Sequence, residues 1–177
     1  MSPASRTTGG RAAPPASLLA MHRHGRSSLL VLGGSEGERL EVVRAFHEAG
    51  LARRGRLVAV RCADDEPVLR RALQLWLTAA GDAAEVNPLR ACEDGTLYLE
   101  GVHALAEPMQ RQLVVLARRI AGESPDGRAG ALPLRLAAGD ADGLDAAVEQ
   151  RRFSAALLDC IDKIRVDLRG AGRRGAA

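Results

Sequence analysis

Aromatic residues are scarce. They make up 2% of the 177 residues, and Phe46, Trp76, Tyr98 and Phe153 are the whole supply. A core must therefore be built from Leu, Val and Ala, and stacking platforms for unpaired bases are few, which argues against single-stranded nucleic-acid binding by stacking. Lysine is scarcer still: Lys163 is the only one, and the other fixed positive charges are arginine. The three cysteines, Cys62, Cys92 and Cys160, are far apart and have neither the Cys-x-x-Cys rhythm of a zinc site nor that of a redox motif. Each lies in or beside an apolar run, the pattern of a buried free thiol in a reducing cytoplasm. No apolar run approaches the roughly 20 residues that cross a membrane, and the N-terminus lacks the continuous apolar stretch of a secretory signal. A formal charge of +3 is small for a DNA binder, so direct DNA binding is not expected.

Enough apolar material is nevertheless present. The hydrophobic fraction is 46%, and a chain of this length suits one domain with a real core. Residues 1–15, rich in Ser, Pro, Gly and Ala, read as a disordered arm, and residues 170–177 as a basic flexible tail. The globular part is expected over 16–169.

Within it, one stretch stands out. The apolar run Ser28–Leu32 breaks into Gly33-Gly34-Ser35-Glu36-Gly37-Glu38-Arg39 and then into helical spacing at Leu40, Val43, Phe46, His47 and Leu51. Strand, glycine loop, helix is how an anion site is built from backbone N–H groups and a helix N-terminus. A working phosphate loop reads Gly-x-x-x-x-Gly-Lys-Ser/Thr. Gly33 fits its first position, but Glu38 stands at the second glycine and Arg39 at the lysine. The stretch is either a weak phosphate or nucleotide site or a structural turn that only joins strand to helix.

Further strands are expected at Leu57–Arg61, Thr96–Glu100, Leu132–Ala138 and Ile164–Leu168. Helices are expected at Ser17–Arg26, Glu38–Ala52, Asp64–Ala80, from Pro108 to Ile120, at Leu144–Val148 and at Phe153–Cys160. On the third of these helices the core face is read as Val68, Leu69, Ala72, Leu75 and Trp76. Alternating strands and helices imply right-handed crossovers and a parallel sheet between two helical layers. Ligands bind such sheets at the C-terminal strand edge, where Gly33–Arg39, Glu100 and Gly139-Asp140 fall together. Asp140 and Asp142 could hold a metal with Glu100 or simply cap a loop. His47 and His103 read as structural.

With its elements in this order, the chain resembles the AAA+ ATPase domain of sigma-54-dependent transcription activators, the NtrC-like enhancer-binding proteins. The resemblance rests on LLVLGGSEGERLEVVRAFHEAG (29–50), LVAVRCA (57–63), DGTLYLEGVHAL (94–105), QRQLVVL (110–116), LRLAAGDADGLDAAVEQRRF (134–153) and IRVDL (164–168). It implies a P-loop NTPase core with strand order 5-1-4-3-2. It also implies a nucleotide site at Gly33, Gly34, Ser35, Gly37, Arg39 and Glu100, the last in the place of the metal-binding carboxylate. The departures from the family pattern imply that the site is vestigial. Arg39 replaces the phosphate-binding lysine and Glu36 the middle glycine of the loop. Gly101 replaces the glutamate that orients water, Asp140 the sensor asparagine, and Ser154 and Cys160 two arginines that act across a subunit interface. Arg151 and Arg152 are near but out of register. The GAFTGA loop that touches sigma-54 has no counterpart, so that contact is not expected, and the chain stops before a helical lid. The implied protein is a cytoplasmic pseudo-ATPase without catalytic or metal-binding residues and without a required cofactor. It would act on a protein partner, an AAA+ activator or another transcription regulator. The alternative is a weak ATP-binding or slow ATPase regulator in which Arg39 and Glu100 hold ATP and Mg²⁺.

Overall fold

The computed structural model of the chain describes residues 27–77, 92–123 and 134–169. Their order is β1 (Leu29–Leu32), α1 (Glu36–Ala49), a 3-10 turn (Leu51–Arg54), β2 (Leu57–Arg61), α2 (Cys62–Leu77) and β3 (Thr96–Glu100). A second 3-10 turn (Val102–Ala104), α3 (Glu107–Ala121), β4 (Arg135–Asp140), α4 (Asp145–Glu149), α5 (Ala155–Ile161) and β5 (Ile164–Asp167) follow. The five strands form one sheet in the order β2-β3-β4-β1-β5, all pairs parallel, which is the expected 5-1-4-3-2 read from the other edge.

Alternation along β1 divides the interior. Leu29 and Val31 face α1, where they pack with Val42, Val43, Phe46 and Ile164. Leu30 and Leu32 face the other layer, with Leu69 and Leu73 of α2, Leu113 and Leu116 of α3 and Leu157 of α5. A strand buried on both faces reads as a continuous apolar run, as β1 does. Gln110 ties the second layer together. Its Nε2 donates to the Leu105 carbonyl (2.8 Å) and the Arg152 carbonyl (3.3 Å), and its Oε1 accepts the Ser154 N–H (2.7 Å). The register brings Leu32 beside Asp140 and Glu100 beside Gly139, so the chemistry-bearing residues do share one edge.

Several boundaries differ from expectation, each for a local reason. Helix α1 begins at Glu36 rather than Glu38 because Ser35 caps it, and it ends at Ala49, where Gly50 turns the chain into the 3-10 turn. Helix α2 begins at Cys62, directly off β2, with the Asp65 carboxylate accepting the Arg61 N–H (3.1 Å). Among its described side chains Cys62, Leu69, Ala72 and Leu73 are buried, Leu75 is half-buried and Val68 is exposed, while the Trp76 side chain lies outside the described residues. Strand β4 is Arg135–Asp140, two residues longer at its C-terminal end than the expected Leu132–Ala138, so Asp140 belongs to the strand. The expected arm, the helix at 17–26, the tail and Leu132-Pro133 lie outside the described residues. Among the described residues no helix is long and apolar enough to cross a membrane. Cys62 and Cys92 are buried and Cys160 half-buried, and none of the three is in a disulfide. Burial pushes the Cys62 and Cys92 thiols up to about 12.

The C-terminal end of α1 is fastened to the sheet by a polar contact that will show in pH titrations. His47 Nδ1 meets Thr96 Oγ1 at 3.0 Å, and the buried Arg135 guanidinium lies over the Phe46 ring, 4.3 Å from its centroid. Burial lowers the His47 pKa, Glu48 opposes that, and the Arg135 charge adds to the lowering. The unfolded chain therefore takes up a proton near pH 6.5, where the folded domain still resists it. Stability is full above that pH and falls as pH drops through it. The expected result is a urea midpoint that declines from pH 7.5 to pH 5 more steeply for the native chain than for His47→Gln. Parallel declines would remove His47 as the cause.

Candidate functional site

The loop between β1 and α1 is closed by its own side chains. Gly33 and Gly34 both have positive φ (77° and 65°), a conformation glycine adopts without a steric penalty. The Gly33 N–H donates to the Asp140 carbonyl (2.9 Å), which fixes the loop to the end of β4. Ser35 is the N-cap of α1, and its hydroxyl accepts the Glu38 N–H (3.3 Å). In return Glu38 Oε2 accepts both the Ser35 N–H (2.7 Å) and the Ser35 hydroxyl (2.8 Å). This reciprocal capping box puts a carboxylate on a loop N–H that a phosphate would otherwise seek. The Ser35 N–H, and after it the Ser35 hydroxyl, hold the Glu38 carboxyl below its ordinary pKa, so it is ionised at neutral pH. Glu36 turns outward to Arg61 (2.8 Å). Gly37 lies in the first helical turn, and a Cβ there would meet no atom within 4 Å. No close backbone approach requires glycine at that position.

Arg39 is the centre of the arrangement. Although charged, it is 5% exposed. Its Nη1 donates to the carbonyls of Gly33 (3.0 Å) and Gly34 (2.7 Å). Its Nε lies 3.1 and 3.2 Å from the two Glu100 oxygens, and Nη2 also donates to Glu100 Oε1. Burial pulls the Arg39 pKa down, but the hydrogen bond and charge of Glu100 outweigh it and leave it raised. The Tyr98 hydroxyl donates to Glu100 Oε2, and its own pKa is raised by burial and then by that bond. Tyr98 and Glu100 share a strand face because they are two apart. Gly139 makes room for both: a Cβ there would lie 2.2 Å from the Tyr98 oxygen and 2.9 Å from Glu100 Oε2.

Beside this cluster stands a second one. Asp140 is fully buried, and its Oδ2 accepts the His103 N–H (3.0 Å) and lies 2.7 Å from His103 Nδ1. Its Oδ1 accepts the Asp142 N–H (3.2 Å). Of the two readings of these acids, loop cap or metal site, the contacts support the cap. Among the described residues no group of three or more His, Cys, Asp or Glu is placed to hold a metal ion. Gly101 has a left-handed backbone (φ 69°) and gives its N–H to the Gly139 carbonyl (2.8 Å). Ser154 caps α5 by accepting the Leu157 N–H (3.3 Å). Arg151 is exposed in a left-handed turn (φ 56°), and Arg152 donates to Gln150.

The structure thus brings Gly33, Gly34, Arg39 and Glu100 into direct contact, with Ser35 one turn away and Gly37 apart. Sequence reasoning missed three partners. Tyr98 was legible as the residue two before Glu100. The Ser35-x-x-Glu38 pattern is itself a capping-box signature, masked by comparison of Glu38 with a missing glycine. The His103–Asp140 contact joins residues 37 apart and carried no local signal.

No family model and no curated protein matches the sequence. Among solved structures, the chain is similar to NtrX from Brucella abortus in complex with ATP, at 20% identity and TM-score 0.65, over 86% of this chain and 35% of that one. A further NtrX structure from the same organism gives 20% identity and TM-score 0.66 over 90% and 37%. The P-loop NTPase domain of the sigma-54 transport activator from E. coli gives 18% identity and TM-score 0.60, over 86% of this chain and 98% of that domain. The chain spans about a third of the length of the NtrX structures. The likeness establishes the fold: a five-stranded parallel sheet with flanking helices, the architecture of a P-loop NTPase core.

Proposed function

We propose that this chain is an AAA+-like module of bacterial transcription regulation that does not turn over ATP and acts in the cytoplasm by engaging a protein partner. The observation that carries the reading is the Arg39 guanidinium. It is the residue at the position of the phosphate-binding lysine, and its hydrogen bonds go to Gly33, Gly34 and Glu100. The same contacts occupy Glu100, the residue that would hold Mg²⁺. A triphosphate entering the loop would have to displace the Arg39–Glu100 pair and meet the Glu38 carboxylate at the helix N-terminus, where two like charges repel. Hydrolysis would further need a group to activate water, and Gly101 offers none. The likeness to NtrX and to the sigma-54 activator domain supports a partner of the same kind: the AAA+ domain of an activator, or another transcription regulator. Direct contact with sigma-54 or DNA is not part of the proposal.

Calorimetric titration of the chain with ATP, with and without Mg²⁺, tests this. The expected result is no binding tighter than millimolar and no difference between the native chain and Arg39→Ala. Tight Mg-ATP binding that disappears in Arg39→Ala would overturn the reading and favour the slow ATPase. Purification from the source cell should recover an associated protein; a bare monomer would remove the partner half.

A further inference from the structure

An anion cradle turns N–H groups toward its ligand, and this loop turns carbonyls toward one. Gly33 and Gly34 present their oxygens to Arg39, while the Gly33 N–H is spent on Asp140 and the Ser35 N–H on Glu38. Opposite the two carbonyls stands the Glu100 carboxylate, with the Tyr98 hydroxyl donating to its Oε2. The groups around the Arg39 side chain are therefore acceptors, and they are set for a planar fork. One edge of the guanidinium, Nε and Nη2, meets the carboxylate, and Nη1 spans the two carbonyls. An ammonium is a single compact centre and cannot cover both sides at once.

We infer that the β1–α1 loop is a guanidinium receptacle whose resident ligand is Arg39, and that, emptied of that side chain, it takes a small guanidinium compound from solution. The inference rests on the reading that the loop holds no nucleotide. It adds what holds the loop instead: a side chain of the same chain bridges the loop to β3, where a nucleotide and its metal would otherwise stand. The receptacle is full at all times, so the loop and the ends of β3 and β4 keep one arrangement, and partner binding does not follow nucleotide concentration.

The test uses the full chain carrying Arg39→Ala, melted with and without low-millimolar methylguanidinium. The variant is expected to melt roughly 10 °C below the native chain. Methylguanidinium should raise it by several degrees and leave the native chain unmoved, and methylammonium should do nothing. No rise, or an equal rise in both proteins, overturns the inference. Should Arg39→Ala not fold, nitrogen-15 spectra of the native chain decide. A held fork gives a slowly exchanging Arg39 Nε–H and separate Nη signals at neutral pH, and a freely turning one gives averaged signals and overturns the proposal. Mg-ATP titration of the native chain is a separate readout, so a failure of the non-nucleotide reading and a failure of the receptacle are told apart.

Discussion

Glu100→Ala is expected to lower the unfolding free energy by about 3–5 kcal/mol, the cost of stripping one partner from a buried ion pair. Both side chains of the Arg39–Glu100 pair are close to nine-tenths buried or more, at 6% and 11% exposure. Exposed pairs are worth about 0–1 kcal/mol, so burial decides the magnitude here. Removing the carboxylate leaves the Arg39 charge away from water with the Gly33 and Gly34 carbonyls still accepting from it, and it takes from the Tyr98 hydroxyl the acceptor it donates to. Glu100→Gln keeps one oxygen and the shape of the side chain, and its cost should be about half. The double variant Arg39→Met/Glu100→Leu removes both charges at similar volume and should recover much of the single-variant loss, because an apolar pair of the right size can match a buried ionic one. Urea midpoints for these three variants form the check. A single-variant cost under about 1 kcal/mol would mean that the pair is solvated and that Arg39 does not hold the loop.

Much of this cluster was legible before any coordinate. Local pattern placed a strand at 28–32, a helix after it and a carboxylate at the end of the third strand, because apolar runs and turn residues are short-range signals. Order of elements gave the parallel sheet, and the sheet gave the shared edge. The Arg39–Glu100 contact could not be derived, since nothing in a sequence says which way a long side chain turns. Val68 was misplaced for a plain reason. Two adjacent helical residues can both satisfy a periodic face, and only packing against the neighbouring elements selects Leu69, Ala72 and Leu73. Glu38 was misread for a different one: the comparison with a phosphate loop asked what was missing at that position, and the capping chemistry of Ser35 and Glu38 asks what is there. The backbone at Gly101, held left-handed by its place between β3 and the following turn, belongs to tertiary structure and left no mark beyond the glycine itself.

The second large effect is expected at Asp140. Its carboxylate is fully buried and is met by the His103 N–H, the His103 ring and the Asp142 N–H, while its backbone carbonyl holds Gly33. Asp140→Ala keeps the carbonyl but deprives two backbone N–H groups and an imidazole nitrogen of their acceptor. Hydrogen bonds to a charged group are worth about 1.5–3 kcal/mol each, and a buried donor left unmade costs about 1–3. The His103 side chain is 54% exposed, and the bonds from the His103 and Asp142 N–H groups are only part-buried, so water can replace part of each. That sets the expected loss near 3 kcal/mol rather than at the sum of three bonds. Asp140→Asn is the discriminating control. Its amide oxygen can accept the His103 N–H and ring, but its NH₂ then faces the Asp142 N–H, so one bond is lost and the cost should be about 1 kcal/mol. Hydrogen exchange adds a local readout. In Asp140→Ala the amides of His103 and Asp142 should lose protection before those of β4, because the strand keeps its ladder to β1 and β3. Equal costs for the two variants, with no local loss at 103 and 142, would show that the carboxylate only fills space and that the loop, the β3 turn and the end of β4 are held together by the backbone alone.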